Sequence, residues 1–270
     1  ADVERAAWCA IWAGLSNAGQ SCGAVERLYV HEAVWDRFIA TLEPAVRELR
    51  SGPDIDFSTD LGSMTTIDQL DVVRRQLADA LESGGRELAS SVRNGSGLFH
   101  QAVLVETTGD STLLVKEETF GPLLAVRRVG SADEAIRLAN DSRYGLTASV
   151  FTARSRLARQ LCRRLEAGAV TVNDHLMSHG MPETPWGGVK DSGIGRSHSR
   201  LGFDEMTQPK VVVEERFRWI RRNMWWQPYS KQVYEGVLGA LEARYGKGVV
   251  PRVRGLARAV RLFIRRASGR

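Results

Sequence analysis

Apolar residues recur along this chain in two periods, and the switches between them predict its elements. Residues 2–15 (DVERAAWCAIWAGL) space their apolar groups about one turn apart, which predicts a helix. Ser16, Asn17, Ala18, Gly19, Gln20 and Ser21 then break it with small, turn-prone side chains. Val25 to Val30 predicts a short strand, and His31 to Leu49 an amphipathic helix with Val34, Phe38, Leu42 and Val46 at helical spacing. Past a turn at Gly52-Pro53, a second helix is expected over 67–81, a strand over 101–105 and an extended run over Leu113 to Val115.

From Leu123 the two periods alternate. Strands are expected over 123–129, 146–152 and 168–172, with helices over 133–140, capped by Ser131, and over 155–166. Strands separated by helices of about ten residues pair in parallel through right-handed crossovers, so the fold class is α/β with a mostly parallel sheet. Pro182 to Gly195 is a Gly- and Pro-rich loop, followed by a short helix near Ser199 to Met206. Lys210 to Glu215 (KVVVEE) reads as a strand with little after it to pair with. Helical periodicity returns over 233–241 and sharpens from 253 onward. No internal repeat is visible.

Composition narrows the class without redirecting it. The chain has 270 residues, 43% hydrophobic and 26% charged, which excludes a disordered or collagen-like polymer. No apolar run reaches the roughly eighteen residues of a spanning helix. Asp2, Glu4 and Arg5 are out of place in a secretory signal, and the first residue is not Met, so the chain is expected to begin inside something longer. Charge changes the picture more. The net +5 conceals 14 Lys and Arg against 2 Asp and Glu in 216–270, leaving 23 basic and 30 acidic residues in 1–215. A mildly acidic body therefore carries a strongly basic tail, which suits an anionic partner.

Three cysteines in no CxxC spacing argue against a disulfide framework or a zinc site, and fit a reducing, cytoplasmic setting. Cys9 and Cys162 fall in helical stretches, where a small buried role is the default. Cys22 follows a helix-breaking loop and is flanked by Gly19 and Gly23. A thiol there can attack a carbonyl while neighbouring N–H groups steady the oxyanion. On chemistry alone a buried structural cysteine remains open, because His31, His100, His175, His179 and His198 are all remote along the chain.

The wording of the loop adds what chemistry leaves open. Asn17-Ala18-Gly19-Gln20-Ser21-Cys22, with Glu26-Arg27 after it, resembles the active-site cysteine signature of the aldehyde dehydrogenase superfamily. Glu117-Glu118-Thr119-Phe120-Gly121-Pro122 is similar to that family's EExFGP motif. Asn140, Tyr144-Gly145-Leu146, Val150-Phe151-Thr152, Gly168 to Asn173, Pro185-Trp186-Gly187-Gly188-Val189-Lys190, Ser192-Gly193 and Gly195-Arg196 continue the series in family order. The resemblance covers 1–215. It implies NAD(P)-dependent oxidation of an aldehyde to an acid through a Cys22 thiohemiacetal and thioester, the Cys22 N–H forming half of an oxyanion hole. It also implies that Glu118 holds the nicotinamide ribose of NAD or NADP, that Phe120 packs near the cofactor, and that Gln69 approaches it from the 67–81 helix. Trp186 and the Asp174–Pro182 loop, with His175 and Met177, would line the aldehyde tunnel; no catalytic role is read for His175 or His179. The implied division is a catalytic domain over 1–206, an oligomerisation strand over 207–215 that makes a homo-oligomer, and a helical extension over 216–270.

The same resemblance places the family's general-base glutamate, the asparagine of the oxyanion hole and most of the dinucleotide-binding domain upstream of Ala1. The chain alone is therefore expected to be inactive, and the complete protein active. A thiol esterase, or a non-catalytic membrane-binding or oligomerisation module, are the alternatives. In the tail, Trp219, Trp225, Trp226 and Tyr229 cluster with Arg216, Arg218, Arg221 and Arg222. Val253, Leu256, Ala257, Val260, Phe263 and Ile264 share one helical face, and Arg254, Arg258, Arg261 and Arg265 the other. A basic amphipathic helix of this kind suits an anionic membrane surface, and a peripheral location with it. Packing on the body and nucleic-acid binding compete, the latter without any RNA-binding motif. A membrane-bound tail would favour a hydrophobic aldehyde.

Overall fold

The first helix of the computed structural model, α1 (Val3–Leu15), starts where Asp2 accepts a hydrogen bond from the Arg5 amide at 3.0 Å. The structure describes all residues except 176, 218, 221, 222, 224, 225, 269 and 270, and the side chain of Met177 is likewise not described. Among the residues singled out from sequence, Arg218, Arg221, Arg222, Trp225 and the Met177 side chain thus lie outside the described residues. The chain divides into two compact units, Ala1–Gln208 and Pro209–Arg270.

In the first unit α1 packs on α2 (Glu32–Glu48), burying Ala7, Ala10 and Ile11 beside Phe38, Leu42 and Val46. These three residues of α2 were the apolar positions expected at helical spacing, while Val34 is only half-buried. Both helices cover one face of a four-stranded sheet in the order β1 (Arg27–His31), β6 (Leu123–Val129), β5 (Val103–Glu106), β3 (Arg86–Ser90). The first three run parallel, and β3 closes the edge antiparallel.

The central strands show why a continuous apolar run is needed. Successive side chains in a strand alternate between faces. Leu104, Leu124 and Val126 pack into the α1/α2 layer, whereas Val103, Val105, Leu123 and Ala125 pack against α3 (Ile67–Glu82) through Leu70, Val73 and Ala80. A sheet covered on both faces has no polar side to show. Beyond α5 (Ala132–Asn140), β7 (Thr147–Val150) and β8 (Ala169–Val172) form a second parallel pair around α6 (Ser155–Cys162). A two-residue parallel pair joins β2 (Arg50–Ser51) to β4 (Val92–Arg93), and the short helix α7 (Ser199–Glu205) follows the Gly- and Pro-rich loop.

One expectation fails here. Leu113 to Val115 is not extended but forms a helical turn, α4 (Leu113–Lys116). The Leu113 amide donates to the Asp79 carboxylate of α3 at 2.7 Å, and Leu114 is fully buried. A tertiary acid capping the first amide and one buried side chain outweigh the local preference of three apolar residues. The edge of the sheet escapes the hydrophobic pattern. Strand β3 is an edge strand with a register shift between Glu87 and Ala89, held at its end by an Arg86–Glu106 ion pair at 2.6 Å. Residues 210–215, expected as a strand, join no sheet among the described residues, and Val211, Val212 and Val213 are exposed.

The second unit is an antiparallel hairpin of α8 (Lys231–Tyr245) and α9 (Val249–Ala267). Ser230 caps α8 by accepting from the Val233 amide. The seam is built on small residues: a Cβ added to Gly239 would lie 2.6 Å from the Gly255 carbonyl oxygen, and one added to Gly255 2.5 Å from that of Gly239. Leu262 fills the space over Gly236. Arg266 is buried and donates to the carbonyls of Trp226 at 3.0 Å and Pro228 at 2.8 Å, tying α9 to the segment before α8. Trp219 meets Phe263 edge-on at 6.1 Å.

Candidate active site

The loop that carries Cys22 is fixed from several directions. After α1, Asn17 and Ala18 adopt left-handed φ angles of 54° and 53°. Gly19 follows at φ 73°, where a Cβ would lie 2.1 Å from the Gly121 carbonyl oxygen. Only glycine meets both demands. The Gln20 side chain then reaches across to the chain before α3, donating to Ser63 O at 3.2 Å and accepting from the Thr65 amide at 2.8 Å. The Val25 amide returns to Ala13 O of α1, closing the loop.

Two side chains finish the construction. His175 is buried, with Nε2 2.8 Å from Gly23 O and Nδ1 3.1 Å from Ser149 Oγ. A neutral ring satisfies both contacts when Nε2 donates to the carbonyl and Nδ1 accepts from the hydroxyl. Burial holds its pKa below the ordinary 6.5, consistent with that neutral form. Glu26 Oε1 accepts from the amides of Thr119 and Phe120, each at 2.9 Å. Burial raises the Glu26 pKa above its usual 4.5, and the two amides oppose that rise without reversing it.

Cys22 itself is exposed, and its backbone N–H and thiol have no hydrogen-bond partner among the described residues. It lines a cavity of about 720 Å³ together with Glu26, Glu118, His175 and Cys9. Burial raises the Cys9 pKa, which keeps that second thiol protonated. The Glu118 side chain is exposed, and its carboxylate makes no hydrogen bond among the described residues. Its backbone carbonyl accepts from Gln76 Nε2 at 3.1 Å.

Not every site residue read from sequence joins this cavity. Gln69 donates its side-chain amide to Thr119 O at 2.7 Å and Phe120 O at 3.4 Å, so it supports the backbone of the Glu118–Gly121 segment. Phe120 stands at φ 46° and is half-buried, outside the cavity lining. Trp186 is also outside it, bridged to Ser197 through paired backbone hydrogen bonds and 5.8 Å from the His179 ring. Sequence reading missed the positioning work of Gln20, Glu26, Gln76 and His175. Glu26 stands inside the quoted cysteine motif, but its partners lie 93 and 94 residues away, and no local pattern marks that pairing.

Residues 1–212 match the model of the aldehyde dehydrogenase family. The chain belongs to that family. Among curated relatives, it is 36% identical over 247 residues to a 4,4'-diapolycopene aldehyde oxidase of Methylomonas sp, covering 92% of this chain and 46% of the relative. It is 37% identical over 213 residues to an aldehyde dehydrogenase of Paenarthrobacter nicotinovorans, covering 78% of this chain and 46% of that one. Among solved structures, an NAD-dependent aldehyde dehydrogenase from Sinorhizobium meliloti aligns with TM-score 0.72 at 32% identity, over 77% of this chain and 41% of that one. A betaine aldehyde dehydrogenase from Staphylococcus aureus in complex with NAD+ aligns with TM-score 0.71 at 31% identity, over 76% of this chain and 41% of that one. The chain therefore spans about half the length of the curated relatives it matches.

For an aldehyde dehydrogenase family chain, the cavity offers a coherent donor set. An exposed thiol can form a bond to carbon, and an amide without an acceptor can stabilise an alkoxide beside it. The Glu118 carboxylate, without a partner of its own, suits a pair of vicinal hydroxyls such as those of a ribose. The fit to a nicotinamide nucleotide thus rests on Glu118, while the backbone held by Gln69, Gln76 and Glu26 sets where that carboxylate stands.

Proposed function

We propose that the protein containing this chain oxidises an aldehyde to a carboxylic acid with NAD or NADP, and that Cys22 is the nucleophile. The observation that carries this reading is the exposed Cys22 with an unengaged backbone N–H on the Gln20- and His175-anchored loop, facing the same cavity as Glu118. The Cys22 thiolate adds to the carbonyl carbon, giving a thiohemiacetal whose oxygen accepts from the Cys22 N–H. Loss of hydride from that carbon leaves a Cys22 thioester, and water then releases the acid and returns the thiol. A bound nicotinamide nucleotide supplies the hydride acceptor. Glu118 would hold it through its ribose hydroxyls.

The thiol of Cys22 has no base in hydrogen-bond contact among the described residues, and thioester hydrolysis needs one. The similarity to the diapolycopene aldehyde oxidase covers 92% of this chain and so runs past residue 212 into the basic tail, which supports a hydrophobic aldehyde as substrate. The test uses the full-length protein with a series of aldehydes from short to long chain, following NAD(P)H formation. Activity that is greatest for long apolar aldehydes and absent in Cys22→Ser is the expected result. Unchanged turnover in Cys22→Ser would remove the cysteine from the mechanism, and a preference for short polar aldehydes would remove the substrate class.

A further inference from the structure

The outer side of α9 carries a feature that the hairpin does not use. At about 100° per residue, Val249, Val253, Leu256, Val260 and Ile264 fall within an arc of about 80°. All five are exposed, from 45% at Val260 to 76% at Val249. The groups that α9 buries, Gly255, Leu262 and Arg266, lie on the far side of the helix. The seam with α8 is thus complete without the aliphatic row, which spans about 22 Å at 1.5 Å per residue.

Charge borders this row. Arg254, Arg261 and Arg265 project along one flank and Arg252 along the other, all of them exposed. Arg265 is engaged with Gln232, and Arg252 with the Gly246 carbonyl. Arg254 and Arg261 have no partner among the described residues. Trp219, Trp226 and Tyr229 of the same unit are exposed as well. An aliphatic row needs hydrocarbon, the unpaired guanidinium groups need anions, and exposed aromatic rings with a polar edge suit the boundary between the two.

We propose that α9 docks in the headgroup region of an anionic phospholipid bilayer, with its aliphatic row among the acyl chains and Arg254 and Arg261 on lipid phosphates. The inference does not depend on the catalytic reading of Cys22. Nucleic acid satisfies the arginines but leaves the aliphatic row in water. A second copy of the chain could cover the row, but it would bring a like-charged flank against Arg254 and Arg261.

Co-sedimentation of the 270-residue chain with vesicles tests the proposal. Binding to vesicles of two parts phosphatidylcholine and one part phosphatidylglycerol should exceed binding to pure phosphatidylcholine by about tenfold or more, and weaken with added salt. Leu256→Asp with Val260→Asp should lower binding about tenfold or more while circular dichroism keeps its helix content, since both side chains are exposed. Arg254→Gln with Arg261→Gln should lower it severalfold. Equal pelleting with the two vesicle types, or wild-type binding by the aspartate pair, would overturn the proposal. So would binding to an oligonucleotide but not to vesicles, or a dimer abolished by Leu256→Asp in a chain that ignores lipid.

Discussion

Close backbone approach builds both the Cys22 loop and the α8–α9 hairpin, yet the two regions use it to opposite ends. Around Cys22, Gly19 lets one loop rest on the Gly121 carbonyl, and Gln20, Glu26 and His175 then fix the same backbone from other sides. The reacting thiol is left open while everything behind it is constrained. In the hairpin, Gly239 and Gly255 bring two helices together along a seam, with Arg266 as the buried polar tie. There the aliphatic row is left open. Rigid polar support thus accompanies the region that must place an atom, and a simple seam suffices for the region that must present a surface.

Substitutions sharpen or break that contrast. The largest effect is expected at Gly19→Ala, where a left-handed φ and a backbone overlap combine to about 3 kcal/mol or more, read by urea unfolding. Cys22 alkylation should change with it. A loss below about 1 kcal/mol would mean that the loop is less constrained than its neighbours imply. Next comes Gly255→Leu, which overfills the seam at a cost of about 1–3 kcal/mol. Helix content should fall while Cys22 alkylation stays unchanged, because the substitution lies in the other unit. Coupled loss of both signals would break the comparison.

His175→Ala should cost about 1–3 kcal/mol by leaving the Gly23 carbonyl without its donor. Its folded pKa lies below 6.5, so the contribution is present above 6.5 and is lost as pH falls through the folded value. The stability gap between wild type and variant should therefore shrink on acidification, and a gap that widens would reverse the assignment. The smallest effect belongs to Glu26→Gln, which keeps an acceptor for the Thr119 and Phe120 amides and removes a buried charge. Since the folded pKa of Glu26 is above 4.5, its contribution is present below 4.5 and is lost as pH rises through the folded value. The variant should match wild type in acid and exceed it at neutral pH. A less stable variant at neutral pH would show that the carboxylate is needed charged.

Much of the fold was legible because it rests on period. The helices over 3–15, 32–48 and 67–82 and the strand over 123–129 bury the apolar positions that repeat in sequence. The turn at Leu113 was not, because its cap comes from Asp79, 34 residues away. Strand β3 was not, because an edge strand with a register shift needs no strict alternation. At the site, Cys22 could be singled out from its loop, and Glu118 from its motif. The tasks of His175, Gln69 and Gln76 could not, since each acts through a backbone carbonyl remote in the chain, and a carbonyl has no letter in the sequence.

The contact between Gly19 and Gly121, reinforced by Glu26 on Thr119 and Phe120, has a consequence for exchange between relatives. The stretch bearing Cys22 and the stretch bearing Glu118 form a single bracket, although about a hundred residues separate them. A chimera that takes one stretch from another enzyme and keeps the other from this chain inherits a mismatched bracket. Substitutions in the two stretches should therefore be strongly non-additive, and any redesign has to transplant 17–26 and 117–122 as one piece.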